Sequence, residues 1–320
     1  MLKKRKVAII GDGAVGSSIA YTLTLGHAVN EIVIIDVNAD KAEGDALDMA
    51  DGQSFLSVPK IIRSGDYDQV EGSSIVIITA GAAQKVGETR IDLLHRNAKI
   101  FDNITDSLKP YISPETIILV VSNPVDILTY YTYRKLGLPS SHVFGSGTVL
   151  DTSRLKTLIS LDTKIDPRNV HTFIVGEHGD TEVAVWSSTY VGGMSLTSYC
   201  RKCNGCQGKQ IARLHDLHQE VRNAAYNIIQ KKGATYYAVA LAVSRIVSAV
   251  LNDENSVLTV SVYLENEFDG QLDDLYLSLP SVVGRTGIKK ILHPDYTEEE
   301  KSGILSSGWA LKDKIKELFA

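Results

Sequence analysis

Long apolar runs are missing from this sequence of 320 residues. No segment approaches the roughly 18 consecutive apolar residues that predict a membrane-spanning helix. The chain starts with basic residues, as a secretory signal does, but the apolar run after them covers only Val7 to Ile10 before glycine and aspartate intervene. We therefore interpret this run as the first strand of a fold.

Cysteine is scarce, and its three copies lie together in the sequence CRKCNGC. An odd number of clustered cysteines argues against a disulfide framework, so we expect a cytoplasmic protein. The two-residue spacings of Cys200, Cys203 and Cys206 would suit thiolate ligation of a metal. The fourth ligand would have to come from elsewhere in the chain; His215 and His218 are candidates, and neither stands at a diagnostic spacing. We predict an exposed loop and no metal.

An excess of basic charge is also absent. The 33 basic and 38 acidic residues give a net charge of -5, and no stripe of lysine and arginine with interleaved aromatics is found. This composition argues against nucleic acid as a partner. The 44% hydrophobic content is sufficient for a large core, and the length suggests two domains or one large α/β unit.

The first half alternates short β-branched runs with segments of helical length. The predicted strands are KVAIIG, EIVIID, SIVIITAG, TIILVVSNP and HVFGSG, and the clearest predicted helices cover residues 14–25 and 90–109. Nearly continuous apolar strands that alternate with helices indicate a parallel sheet covered on both faces. We predict a doubly wound α/β Rossmann domain, which binds a dinucleotide, over residues 1–147.

The pattern changes after about residue 150. We predict helices over 207–231, 235–251 and 298–318, and strands over 256–263 and 276–283. Such a mixed order is typical of an α+β domain, and we assign residues 148–320 to a substrate or catalytic domain of this class. The reactive site is expected between the two domains.

The motif GDGAVG places Gly11, Gly13 and Gly16 in the G-x-G-x-x-G pattern, between a strand and a helix. The first glycine permits a tight turn, the second admits a pyrophosphate to the backbone, and the third lets helix and strand approach. Asp36 ends the next strand, twenty positions after Gly16, where a carboxylate can bind ribose hydroxyls. Asp36 would also repel a 2′-phosphate, so NAD is favoured over NADP.

Two further residues of this region enter the cofactor-site prediction. Asp12 is discordant, because a second carboxylate near a phosphate is electrostatically unfavourable, and Lys41, which we assign to the cofactor site, would offset it in part. The alternative interpretation of Asp36 is that it merely caps the helix that follows it.

The motif GEHGDTE places His178 between glycines after a strand-like run. A histidine can give or take a proton near neutral pH, as the interconversion of an alcohol and a ketone requires. Upstream, Asp151 and Arg154 lie three positions apart on a predicted helix and can face the same side. A carboxylate can orient an imidazolium, and an arginine can clamp a substrate carboxylate through two hydrogen bonds.

With these motifs, the sequence resembles the lactate/malate dehydrogenase family, and the bacterial L-lactate dehydrogenases most closely. The likeness runs through GDGAVGSS, AGAAQKVGETRIDLL, VSNPVD, GSGTVLDTSR, GEHGDTE and KGATYYA, in the order and with the spacings of the family. It covers nearly all of the chain.

The resemblance implies a role for each matching residue. His178 would donate and accept the proton, Asp151 would orient it, and Arg154 would clamp the substrate carboxylate. Arg90 would polarise the ketone while hydride arrives from the nicotinamide. Further residues implied for the substrate or cofactor are Asn123 for both, Thr235 for the substrate, and Val15, Gly81, Ala82 and Val121 for the cofactor.

The stretch TAGAAQKVGETRIDLL is expected to carry a closing loop between Gly81 and Gly87. Such a lid would exclude water and deliver Arg90 to the oxygen that becomes negative in the transition state. Gln84 would face the far end of the keto acid. An uncharged amide there favours pyruvate over oxaloacetate, which carries a second carboxylate.

The favoured function is NAD-dependent reduction of pyruvate to L-lactate in fermentation, downstream of glycolysis. The alternatives are a malate dehydrogenase of the same family and a non-catalytic NAD-binding protein. The resemblance implies a homotetramer. Many bacterial relatives are activated by fructose 1,6-bisphosphate through an arginine and a histidine; here Lys156 and His171 stand at these positions. We predict weak activation or none, because lysine lacks the bidentate fork of arginine.

Overall fold

The computed structural model describes residues 5–82, 90–202 and 210–319 of the chain. Six parallel strands form the first part of the fold: β1 (Lys6–Ile10), β2 (Glu31–Ile35), β3 (Ile61–Ser64), β4 (Ile75–Ile78), β5 (Ile117–Val120) and β6 (Val143–Gly145). They lie in the order β3-β2-β1-β4-β5-β6. This order is that of the doubly wound fold predicted from the sequence, and its topological switch point lies between β1 and β4.

The strand β1 shows why this sheet is covered on both faces. All five of its residues are buried. Val7 and Ile9 belong to one apolar cluster, whereas Ala8 and Ile10 belong to another. Because successive side chains of a strand point to opposite faces, each face of the sheet packs against its own core. The nearly continuous apolar strands of the sequence follow from this arrangement.

Four helices connect the parallel strands: α1 (Ala14–Leu25), α2 (Ala39–Asp51), α3 (Arg90–Leu108) and α4 (Val125–Leu136). The helix α1 has the predicted bounds, and α3 ends one residue before the predicted end. At the end of α4, Gly137 has a φ of +67°, and its N–H donates to the carbonyl oxygen of Tyr133. A glycine in this left-handed conformation is a common way to close a helix.

The second part of the chain is mixed, as predicted. Its helices are α5 (Val149–Thr163), α6 (Leu196–Lys202), α7 (Gln210–Lys232), α8 (Tyr237–Leu251), α9 (Glu267–Gly270) and α10 (Glu298–Phe319). Its short strands are β7 (Val170–His171), β8 (Ile174–Val175), β9 (Val183–Ala184), β10 (Tyr190–Val191) and β11 (Met194–Ser195). These form a three-stranded and a two-stranded sheet.

Three longer strands of the second part extend the parallel sheet: β12 (Ser256–Leu264), β13 (Leu275–Gly284) and β14 (Gly287–Ile291). They are antiparallel to one another, and β12 joins β6 where Ser261 pairs with Gly145. The result is one nine-stranded sheet to which both parts of the chain contribute. Among the described residues, no helix combines the length and the apolar character needed to cross a membrane.

Candidate active site

The glycine motif forms a tight turn between β1 and α1. Gly11 has a φ of +102°, which favours glycine. A Cβ on Gly16 would lie 1.9 Å from the carbonyl oxygen of Gly11, so only glycine lets the helix approach the strand this closely. A Cβ on Gly13 would meet no heavy atom within 4 Å. The open space at Gly13, at the N-terminus of α1, fits the phosphates of a dinucleotide.

The carboxylate of Asp36 lies next to this turn. Its Oδ2 accepts a hydrogen bond of 2.6 Å from the N–H of Asp12, and its Oδ1 accepts one of 2.8 Å from the N–H of Asn38. The residue that caps α2 is Asn38, whose side chain accepts from the N–H of Lys41. The capping role considered for Asp36 therefore falls to Asn38, and Asp36 stands beside the glycine turn, as a ribose ligand requires.

The discordant Asp12 is buried and paired with Lys41. The ammonium of Lys41 lies 2.8 Å from Oδ2 of Asp12 and donates to the carbonyl oxygen of Asp12 as well. Burial raises the pKa of Asp12 to about 6, although the hydrogen bond and charge of Lys41 oppose this rise. Lys41 thus offsets Asp12 as predicted, and a direct contact of Lys41 with the cofactor stays a prediction.

A cleft of about 430 Å³ is lined by residues of both parts of the chain. It brings together eight of the predicted site residues: Val15, Gly81, Ala82, Val121, Asn123, Arg154, His178 and Thr235. Its remaining lining is Thr79, Ser122, Ser146, Gly147, Leu150, Ala225, Ile229, Gly233, Ala234, Val239 and Ala242. The cleft therefore joins the strand ends of the Rossmann sheet to the predicted proton donor and carboxylate clamp.

Asp151 contacts both His178 and Arg154, two residues that line the cleft. Its Oδ2 lies 2.6 Å from Nδ1 of His178, and its Oδ1 accepts a hydrogen bond of 2.7 Å from Nη1 of Arg154. Asp151 is buried, whereas a quarter of the His178 side chain is exposed. The Nδ1 contact leaves Nε2 as the ring nitrogen that can exchange a proton with a substrate.

The charges at this site favour a protonated imidazole. The charge of Asp151 raises the pKa of His178 to about 9, and the charges of Asp126 and Glu182 act in the same direction against the effect of burial. Burial would raise the pKa of Asp151, but the charges and hydrogen bonds of His178 and Arg154 outweigh it and hold that pKa below its usual value. The pair is thus an imidazolium and a carboxylate at neutral pH.

The sequence interpretation missed several buried residues that hold this site. Asn97, on α3, accepts a hydrogen bond of 2.8 Å from the N–H of Ala82 and donates to the carbonyl oxygen of Asn123. Asp126 accepts one of 2.9 Å from the N–H of His178. Asp126 stands in the motif VSNPVD, three positions after Asn123, so the sequence offered a signal for it.

Glu182 is also buried, and it too was missed although it ends the motif GEHGDTE. Its Oε1 lies 3.8 Å from Nε2 of His218, on α7. Burial raises the pKa of Glu182 to about 8. Burial lowers the pKa of His218 to about 4. We expect this carboxyl group to change its charge above neutral pH, close to His178.

Four other predicted site residues fall either outside the described residues or outside the lining of the cleft. Gln84 and the side chain of Arg90 are outside the described residues, so their roles stay predictions. Lys156, on α5, is half-buried, and burial followed by the charge of Arg245 lowers its pKa. His171 is exposed on β7. Neither Lys156 nor His171 lines the cleft.

The cysteine motif is only partly described. Cys200 is half-buried on α6, whereas Cys203 and Cys206 fall outside the described residues. In the described part of the chain, no group of three or more metal-binding side chains is placed to hold a metal ion.

Comparison with known proteins shows that the chain belongs to one family. Residues 5–145 match the NAD binding domain of lactate/malate dehydrogenase, and residues 148–320 match its alpha/beta C-terminal domain. The chain is 51% identical over 320 residues to L-lactate dehydrogenase 1 of Clostridium acetobutylicum, covering 100% of both chains. It is 51% identical over 314 residues to the L-lactate dehydrogenase of Acetivibrio thermocellus, covering 98% of this chain and 97% of the other.

Solved structures give the same result. The minor L-lactate dehydrogenase of Enterococcus mundtii, in its ligand-bound form, superposes with a TM-score of 0.93 at 43% identity, over 98% of each chain. A lactate dehydrogenase from a Medee basin deep-sea metagenome library superposes with a TM-score of 0.95 at 38% identity, over 99% of this chain and 100% of the other.

Proposed function

Because the chain belongs to the lactate/malate dehydrogenase family, we propose that it is an NAD-dependent L-lactate dehydrogenase that reduces pyruvate to L-lactate reversibly. The observation that carries this proposal is the hydrogen bond of 2.6 Å between Asp151 and His178, because His178 lines the same cleft as Arg154 and the residues that follow β4 and β5. The set contains a proton donor, its orienting carboxylate and a carboxylate clamp.

The cofactor-binding residues of this proposal are those of the Rossmann part. Gly11, Gly13 and Gly16 would hold the pyrophosphate, Asp36 the ribose hydroxyls, and the lining residues Val15, Gly81, Ala82, Val121 and Asn123 the remainder. NADH, when bound, supplies the hydride that reduces the ketone. The missing Cβ at Gly13 and the carboxylate beside the turn fit this cofactor.

The proton comes from His178. With a pKa raised to about 9, its imidazole is protonated at neutral pH and can give a proton to the carbonyl oxygen of pyruvate. Asp151 holds the ring through Nδ1 and stabilises its charge. In lactate oxidation the same ring must be neutral, because it then accepts the proton.

The substrate carboxylate would be held by Arg154. Its guanidinium carries five N–H donors in a planar fork, of which Nη1 bonds to Asp151. This bond fixes the orientation of the guanidinium while other donors serve a substrate carboxylate. Thr235, which also lines the cleft, would contact the substrate as well.

We assign substrate choice to residues 83–89, between the first two described ranges, and to Arg90 beside them. By the likeness to the family, Arg90 would polarise the carbonyl group and Gln84 would face the methyl group of pyruvate when the loop closes as a lid. Oxaloacetate would place its second carboxylate beside Gln84. An amide cannot neutralise this charge, and burying an unpaired carboxylate is costly.

The wider setting is proposed on the same basis. We place the domain division between residues 147 and 148, and we propose a cytoplasmic homotetramer that acts in fermentation on the pyruvate of glycolysis. Exposed apolar side chains on α1 and α8, such as Tyr21, Leu25, Tyr237 and Leu241, support an assembly of several copies. Lys156 in place of an arginine supports weak or absent activation by fructose 1,6-bisphosphate.

The experiment for the proposed function follows the absorbance of NADH with the purified chain and either pyruvate or oxaloacetate. We expect rapid oxidation of NADH with pyruvate and formation of L-lactate. Preference for oxaloacetate would identify a malate dehydrogenase. Binding of NADH without turnover of either keto acid would identify a non-catalytic NAD-binding protein.

A further inference from the structure

The loop that carries His178 is anchored by three consecutive backbone N–H groups, each to a different element. Gly176 donates to a carbonyl oxygen of β13 at 2.9 Å, and Glu177 donates at 2.7 Å to the hydroxyl of Ser307, on α10. The third donor, the N–H of His178, binds Oδ2 of Asp126, on α4, at 2.9 Å. Asp126 is the one charged acceptor of the three.

Asp126 is itself deeply buried, with 2% of its surface exposed. Its other oxygen, Oδ1, accepts a hydrogen bond of 2.5 Å from the hydroxyl of Ser261, on β12. A neutral group would suffice to anchor a backbone N–H, and burying a carboxylate is costly. A buried negative charge at this position needs a nearby positive charge to stabilise it, and the imidazolium of His178 can provide that charge.

We propose that Asp126 is a positioning residue for His178, a second carboxylate that fixes the backbone of the histidine and stabilises the positive charge of its ring. Asp151 holds the ring itself, from α5, whereas Asp126 acts from α4 through the main chain and through its charge. Asp126 lies three positions after Asn123, which lines the cleft, so one short segment supports both the cofactor side and the proton donor.

The protonation of His178 and of Asp126 depends on the charged groups around them. Carboxyl groups face His178 from three elements: Asp151 on α5, Asp126 on α4 and Glu182 before β9. Asp126 is faced by His178 and by Glu177, and Glu177 is paired with Lys314 of α10 at 2.6 Å.

The expected charge of Asp126 agrees with this arrangement. Burial raises the pKa of Asp126 to about 6, opposed by the hydrogen bonds from Ser261 and from the N–H of His178. Asp126 is therefore ionised between pH 7 and the pKa of His178, which is raised to about 9. The negative charge is present over the range in which the imidazole loses its proton.

The test is the variant Asp126→Asn, which is nearly isosteric and keeps an oxygen for the N–H of His178 but removes the charge. The readout is the rate at which diethyl pyrocarbonate modifies His178 at each pH, followed by mass spectrometry of the peptide, since this reagent attacks the neutral imidazole. The midpoint is the pH at which the modification rate reaches half of its maximum. For wild type we expect it near the pKa of about 9. In Asp126→Asn we expect it about one pH unit lower.

Two variants serve as controls. Ser307→Ala removes the neutral acceptor of the adjacent N–H and is expected to leave the midpoint unchanged. Asp126→Glu keeps the charge and is expected to stay closer to the wild-type midpoint than Asp126→Asn does. An unchanged midpoint in Asp126→Asn, or an equal shift in Ser307→Ala, overturns the proposal.

This inference rests on the proposed function for the use of His178 in catalysis, but the modification needs neither pyruvate nor NADH. If wild type did not reduce pyruvate and the midpoint still shifted in Asp126→Asn, the proposed function would fall and the role of Asp126 would stand. If both hold, the pH limb of pyruvate reduction in Asp126→Asn moves by the same amount as the midpoint, while the affinity for NADH is unchanged.

Discussion

Oδ2 of Asp151 lies 2.6 Å from Nδ1 of His178, although 27 positions separate the two residues in the sequence. One comes from the buried face of α5 and the other from the loop after β8. The contact couples the protonation of the imidazole to a buried carboxylate, whose charge is the largest cause of the raised pKa of His178. Several measurable consequences follow from this coupling and from the residues around it.

The pH dependence of pyruvate reduction should follow the protonated form of His178. Because its pKa is raised to about 9, kcat/KM is expected to be level near neutral pH and to fall as pH rises through about 9. The kcat/KM of lactate oxidation should rise over the same pH range, since this direction requires the neutral ring. Steady-state rates across this range check both limbs. A limb for reduction centred near the ordinary histidine pKa of about 6.5 would contradict the coupling.

Replacing the proton donor by His178→Gln should abolish most turnover. We expect a loss of about a hundredfold or more in kcat, which is usual when a general acid is removed. The binding of NADH, measured by its fluorescence, should remain nearly intact because the glycine turn and Asp36 are unchanged. A matched control is His27→Gln, at an exposed position just after α1, which should keep the wild-type rate. Retention of more than about a tenth of the rate in His178→Gln refutes the assignment.

Cofactor preference should depend on Asp36. Its carboxylate lies beside the glycine turn, and like charges about 4 Å apart near a protein surface repel by about 4 kcal/mol before screening. We expect wild type to prefer NADH over NADPH by roughly a hundredfold or more in kcat/KM, and Asp36→Ser to reduce that ratio. The exposed Asp40, in the first turn of α2, provides the control Asp40→Ala, which should retain the preference. Equal efficiency of wild type with both cofactors would defeat this prediction.

Activation by fructose 1,6-bisphosphate should be weak or absent. Lys156 offers a single ammonium where a bidentate arginine is expected, and burial together with the charge of Arg245 lowers its pKa. The check is the KM for pyruvate with and without micromolar fructose 1,6-bisphosphate. A severalfold fall in KM for wild type would show that lysine suffices.

The Rossmann part could be predicted closely from the sequence because its signals are local. The run before Gly11 and the bounds of α1 follow from apolar periodicity and from the glycine motif. By contrast, the strand β3 (Ile61–Ser64) was not predicted: it is short, it contains Arg63, and its residues are only partly buried. The two-residue strands of the second part carry too few residues for any periodicity.

The extension of the sheet and the contacts that anchor the site could not be predicted, because both join residues that are distant in the sequence. Nothing local to Ser261 indicates that it pairs with Gly145 across the sheet. Likewise, the two partners of Asp126 lie 52 and 135 positions away, at the N–H of His178 and the hydroxyl of Ser261. By contrast, Asp151 and Arg154 were expected to face the same side from their helical spacing, and their hydrogen bond confirms it.

The most direct measurement of the central claim is kcat/KM for pyruvate and for oxaloacetate, with NADH, in wild type and in Gln84→Arg. We expect wild type to prefer pyruvate, because Gln84 cannot neutralise a second carboxylate. We expect Gln84→Arg to reverse this preference, because the arginine supplies a bidentate partner for the second carboxylate of oxaloacetate. With pyruvate bound, the same arginine would be a buried cation without a partner. A wild type that already prefers oxaloacetate would contradict the assignment as an L-lactate dehydrogenase. A kcat/KM ratio that the substitution leaves unchanged would contradict the role of residue 84 in substrate selection.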